Sequence, residues 1–236
     1  MSVQQNPIVP AGGFASWLNT WITAVTKPNE QTYIDLAERP EAKANKAYLW
    51  VFIASTLGTL VAGLLQALVL AMGFGQGGTQ LYSQMAGGSI VSVICAAPIA
   101  GGVSVLGFMI GTGVIQWVAK LFGGTGTFNK LAYVMGAISV PITLVSSIIT
   151  PFSVITYLGI VIGLLSFALG CYAIYLEVLA VKAVNQFSWG KAIGSVILPA
   201  LVIGLLCACI VVVVLLLLGP AIGNVFSQVQ QGLGGY

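Results

Sequence analysis

The chain has 236 residues, of which 58% are hydrophobic and 6% charged, with a net charge of +3. Soluble domains carry about a quarter charged residues, so composition excludes a water-soluble globular protein and implies an all-α integral membrane protein. The chain has no histidine; this excludes a Ser–His nucleophile pair, a histidine-ligated metal and a histidine-ligated haem.

Residues 1–13 show neither a basic start nor a short apolar core. They carry no signal-peptide pattern, and the first span is expected to direct its own insertion. Phe14, Trp17, Leu18, Trp21, Ile22 and Val25 then recur at helical spacing, with Ser16, Asn19, Thr20 and Thr23 on the other face. Two readings of residues 14–25 stand side by side. One is an amphipathic helix on the membrane surface, with Phe14, Trp17 and Trp21 as interfacial anchors at headgroup depth. The other is a helix packed under the bundle as a cap. Lys27-Pro28 ends this segment, and residues 28–38 read as a short second helix with Pro28 in its first turn. Residues 39–46 are the most charged stretch. They are expected to extend the first span downwards, as a solvated face or else as a partner site.

A spanning helix needs roughly 20 apolar residues. Five runs qualify: 47–72, 90–118, 131–149, 154–181 and 192–218. They define a five-helix membrane domain over 47–218, between an N-terminal interfacial region (1–46) and a tail (219–236). Lys27, Arg39, Lys43 and Lys46 precede the first run. Lys120 and Lys130 lie between the second and third, and Lys182 and Lys191 between the fourth and fifth. The segments 73–88, 150–153 and 219–236 hold no cation. Positive residues stay cytoplasmic, so five crossings place the N-terminus inside and the C-terminus outside.

Each of the first four runs carries a stripe of small residues. Ser55, Gly58, Ala62 and Gln66 form one; Ala97, Ala100, Ser104, Gly107 and Gly111 form another. Ala132, Gly136, Ser139, Thr143, Ser146 and Thr150 make the third, and Gly159, Gly163, Ser166, Gly170, Ala173 and Glu177 the fourth. Steps of three and four put each set on one helix face. Small residues let helices approach closely in lipid. The expected seam is therefore close packing with hydroxyls bonded to backbone carbonyls, or else a hydrated path between helices. Pro98, Pro141 and Pro199 should kink their spans, and Pro98 with Gly101-Gly102 is positioned to split the second. The loop 73–88 is Gly- and Gln-rich. Ile222, Val225, Phe226, Val229 and Leu233 repeat an amphipathic pattern in the tail. Cys95, Cys171, Cys207 and Cys209 all lie in apolar runs and read as small hydrophobes.

Glu177 is the only carboxylate within an apolar run. An ionisable group in a span is functional by default. Its position near Lys182 and Lys191 also fits an interfacial acid paired with a lysine, or a contact to a partner subunit. Glu177, Lys182 and Gln66 form the candidate intramembrane polar site. Gly123-Gly124-Thr125-Gly126 lacks the lysine and hydroxyl of a phosphate loop. It reads as a connector whose backbone amides are able to hold a phosphate.

Residues 120–133 (KLFGGTGTFNKLAY), 136–141 (GAISVP), 179–193 (LAVKAVNQFSWGKAI) and 26–36 (TKPNEQTYIDL) resemble the YIP family of Ypt/Rab-interacting proteins, particularly its shorter prokaryotic members. The resemblance spans 26–218. It implies five spans, a cytoplasmic N-terminus and a role in membrane organisation rather than a reaction. Eukaryotic members bind Rab GTPases. This chain lacks their long acidic N-terminus and Asp-Leu-Tyr-Gly-Pro signature, so a Rab-type partner is not expected. The expected function is that of a non-enzymatic scaffold, accessory subunit or membrane-organising factor. A small transporter or channel using the polar seam and Glu177 is the alternative. Partners are lipids and other membrane proteins or further copies, with no nucleic acid. No catalytic, metal or cofactor residue is named; bound lipid is compatible. The membrane is the cytoplasmic one in a prokaryote, the endoplasmic reticulum or Golgi in a eukaryote.

Overall fold

A spanning segment has no water to satisfy its backbone, so apolar runs of this length fold as helices. The structure is a computed structural model that describes residues 13–74 and 90–233. Most of the predicted 73–88 loop, and the chain ends before 13 and after 233, lie outside the described residues. The elements are α1 (Phe14–Thr26), α2 (Glu30–Ala37), α3 (Ala44–Ala71), α4 (Ile90–Leu121), α5 (Phe128–Ile149), a 3-10 turn (Thr150–Val154), α6 (Thr156–Asn185) and α7 (Trp189–Leu233). No strand occurs among the described residues. Among the described residues, four segments are long and apolar enough to cross a membrane: Ala44–Ala71, Val91–Leu121, Phe128–Val154 and Tyr157–Asn185. A shorter apolar stretch, Trp189–Val202, opens α7. The chain divides into two units after Val196. The second is the continuation of α7, helical through Gly219-Pro220 to Leu233, with Leu201, Leu205 and Val211 exposed.

Several local expectations change. The Asn29 side chain accepts from the Thr32 N–H at 2.7 Å, so α2 is capped there and starts at Glu30. Pro28 lies outside it. The first span does not extend down to Arg39. Residues 39–43 form turns, with Ala42 N–H donating to Arg39 O and Lys43 N–H to Glu41 O, and α3 begins at Ala44. Pro98 does not split the second span: α4 is continuous from Ile90 to Leu121.

α5 is the central helix. Its span is 44% buried, against 6% for that of α6, and every residue from Leu131 to Ile138 is enclosed. It runs parallel to α3. A Cβ placed on Gly136 would sit 2.7 Å from Ala47 Cβ, and one on Gly58 would overlap Ser147 Oγ. The same sequence offset separates both pairs, about three turns apart. α4 runs antiparallel on the other side of α3. Phe108 packs on Tyr48, Gly101 meets Phe52 and Thr56, and Gly63 meets Val93. As one number rises the other falls.

At the cation-bearing end of this bundle α1 and α2 pack against it as a base. Trp21 meets Trp50 edge-on at 5.7 Å between centroids, and Trp50 meets Tyr133 at 4.9 Å. Such pairs contribute about 0.5–1.5 kcal/mol beyond the area they bury. The Tyr33 hydroxyl donates to Ala24 O and the Tyr172 hydroxyl to Val25 O, tying α1 to α2 and α6. The core follows: Leu176 and residues 178–181 of α6 are buried, whereas Ile160, Val161, Leu164 and Phe167 are exposed. The bundle is therefore packed at its N-terminal end and open along its far half.

Gly136→Val should lower the apparent Tm in detergent, at a cost of about 1–3 kcal/mol for overpacking. Gly102→Ala, where a Cβ meets nothing within 4 Å, should leave it unchanged.

Candidate functional site

The small-residue stripes of three helices converge. Ser55, Gly58, Thr59 and Ala62 of α3, Ser104 of α4, and Thr143, Ser146, Ser147 and Thr150 at the end of α5 line an open groove of about 310 Å³. Within it Thr59 donates to Ser55 O at 2.8 Å, Ser147 to Thr143 O at 2.7 Å and Thr150 to Ser146 O at 2.7 Å. Ser139, one turn nearer the base, donates to Met135 O. Hydroxyls bonded back to the preceding turn are satisfied within their own helix. The hydroxyls of Ser55, Ser104 and Ser146 have no partner among the described residues. Gln66 is half-buried near the far end of α3. Gly107 and Gly111 of α4 meet no neighbour.

The fourth stripe is placed differently. A Cβ on Gly163 or Gly170 would meet nothing within 4 Å, and one on Gly159 meets only the carbonyl of Ser153. Ser166 is exposed and Ala173 half-buried. Glu177, half-buried between buried Leu176 and Val178, shares no hydrogen bond or ion pair with another described residue. Its expected lysine partners are engaged elsewhere. Lys182 pairs with Glu30 of α2 and lies over the Trp189 ring, and Lys191 donates to Phe122 O at 3.1 Å.

Sequence reasoning missed an amide clamp at the base. Gln116 Nε2 donates to Gly126 O at 2.8 Å and to Asn185 Oδ1 at 3.1 Å, while Asn185 Nδ2 donates to Val181 O. Both side chains are buried. Asn185 Oδ1 sits 2.6 Å and 2.8 Å from where Cβ atoms on Gly124 and Gly126 would lie. The glycines let the loop close over the amides. Gly123 and Gly124 N–H groups donate to Lys120 O and Ala119 O, which engages two of the loop's amides. The available signal was two uncharged amides, each near a span's charged end.

Residues 23–212 match the Yip1 domain. This chain belongs to the Yip1 domain family. No curated protein and no solved structure matches it. The matched segment starts late in α1 and runs into α7, so it contains the groove, Glu177 and the amide clamp.

This Yip1 domain is an integral membrane protein whose charge gathers at one end. Lys182 of α6 pairs with Glu30 of α2, Lys191 of α7 reaches Phe122 just after α4, and Lys46 of α3 pairs with Glu41. Glu41 accepts from Lys46 Nζ at 2.7 Å and from the Tyr133 hydroxyl at 3.2 Å. The Lys46 hydrogen bond, opposed by partial burial, holds its carboxyl below the usual carboxylate range. A depressed pKa stabilises the fold above the unfolded-state value and ceases to do so as pH falls through the folded one.

Two outcomes follow. Acidification below the ordinary carboxylate range should lower the Tm of the wild type more than that of Glu41→Gln, so the two melting curves approach each other at low pH. Asn185→Leu should leave the Gln116 amide short of a partner at a cost of about 1–3 kcal/mol. Hydrogen exchange in residues 123–127 should rise ahead of the rest of the base.

Proposed function

We propose that this Yip1 domain protein is non-enzymatic and acts by association in the membrane, as a scaffold or accessory subunit. The outer face of α6 is its contact surface, and other membrane proteins or further copies are its partners. The observation that supports this reading is the open space over Gly163 and Gly170. Helix association in lipid relies on small residues that allow close backbone approach, and here a row of them meets no neighbour. Glu177 lies on the same face by spacing. It supplies a polar group for a partner near the charged end.

In the same reading α7 is the fifth crossing, the charged end is cytoplasmic, and the C-terminus is outside. All eight cations lie at the ends of helices joined at the base, and cationic ends face the cytoplasm. For a prokaryotic chain this places the protein in the cytoplasmic membrane. Transport is the second reading, and the three unpartnered serine hydroxyls of the groove favour it.

The test is Gly163→Leu with Gly170→Leu. Because neither position touches its own fold, the Tm should hold while co-purifying membrane proteins or higher oligomers are lost in mild detergent. Retention of all partners would overturn the association reading. A proton or ion flux in liposomes that disappears in Glu177→Gln would support transport instead.

A further inference from the structure

α1 has three sides rather than two. Thr20, Trp21 and Ala24 are buried, and Trp17 half-buried, against the bundle. Phe14, Leu18 and Ile22 form a second row, 64%, 38% and 55% exposed. Asn19 and Thr26 form a third, exposed and polar, flanked by the half-buried Ser16 and Thr23. At 3.6 residues per turn these arcs are centred roughly a third of a turn apart. A helix lying between a packed core and water needs only two faces. A large apolar row between a buried arc and a polar arc requires a third medium.

The height of α1 says which medium. Trp21 and Trp17 pack on Trp50, in the second turn of α3. The Val25 carbonyl receives the hydroxyl of Tyr172, ten residues before Lys182 at the charged end of α6 and so a little under three turns inside it. α1 therefore lies where the spans enter the apolar layer, with the cations reaching it on its buried side: Arg39 donates to Thr20 Oγ1 at 2.8 Å and Lys46 lies over the Trp50 ring. Its sequence holds no charged residue, so acyl chains rather than anionic headgroups suit it. Phe14, Leu18 and Ile22 precede the matched 23–212 segment.

We propose that the row of Phe14, Leu18 and Ile22 is seated among the acyl chains of the leaflet on the N-terminal side. α1 is then an in-plane membrane helix clamped sideways to α5 and α3 by its tryptophans. The bundle takes one arc, lipid the second and water the third. This inference does not depend on the association reading.

The test uses nitroxide labels at Leu18, Ile22 and Asn19 in a chain whose four cysteines are replaced by serine, reconstituted in phosphatidylcholine vesicles. Labels at 18 and 22 should collide with oxygen several-fold more than with a water-soluble nickel chelate, and the label at 19 should show the reverse. Nickel access at 18 and 22 equal to that at 19 would overturn the proposal in favour of a water-facing helix. Protection from both quenchers would overturn it in favour of a protein partner or second copy. In the chain with its native cysteines, benzoylphenylalanine at Leu18 should crosslink to lipid; a crosslink to protein alone would count against the proposal.

Discussion

The close approach of α3 and α5 is the contact on which the rest of the bundle depends. Gly136 against Ala47 and Gly58 against Ser147 bring two parallel helices together with only a methyl group or a serine side chain at each contact. In lipid no hydrophobic force distinguishes a packed leucine from a solvated one, so close van der Waals contact at small residues has to hold the helices. α4 then lays its own small residues on the far side of α3, and the hydroxyls above Gly136 are left facing a shared groove. One small-residue contact thus sets both the depth of the central helix and the floor of the groove.

The base works on different physics. There aromatic stacking, the Glu30–Lys182 pair, the Glu41 network and the amide clamp tie helix ends that are far apart in sequence. A buried amide is costly unless bonded, and Gln116 and Asn185 bond each other, Gly126 O and Val181 O. The far half of the bundle offers the exposed face of α6 to its surroundings.

Much of this was legible in residue spacing. Ser55, Gly58 and Ala62, Ser104, and Thr143, Ser146 and Thr150, chosen as helical stripes, meet in one groove. The stripe on α6 has the same spacing and is open at Gly163 and Gly170, because small residues state that a helix is able to approach and not which helix does. α1 was harder for a related reason. Periodicity merges its tryptophans with Phe14, Leu18 and Ile22 into one apolar face, since a protein core and a lipid tail select the same residue types. Only three-dimensional packing separates Trp21, buried, from Ile22, exposed. Glu177 drew attention through its charge. The amides of Gln116 and Asn185 did not, because nothing local in the sequence says that they meet.

The parallel pairing of α3 with α5 also constrains biosynthesis. α3 enters the bilayer first, and its mate follows only after α4 and both connecting loops have been made. At about 5–20 residues per second the wait is on the order of ten seconds. During that interval the notch at Gly58 has no Ser147 to fill it, and the lateral exit of the insertion machinery must deliver α4 on one flank while keeping the other free. Nascent-chain order, not only the final register, therefore decides which face of α3 is first exposed to competing helices.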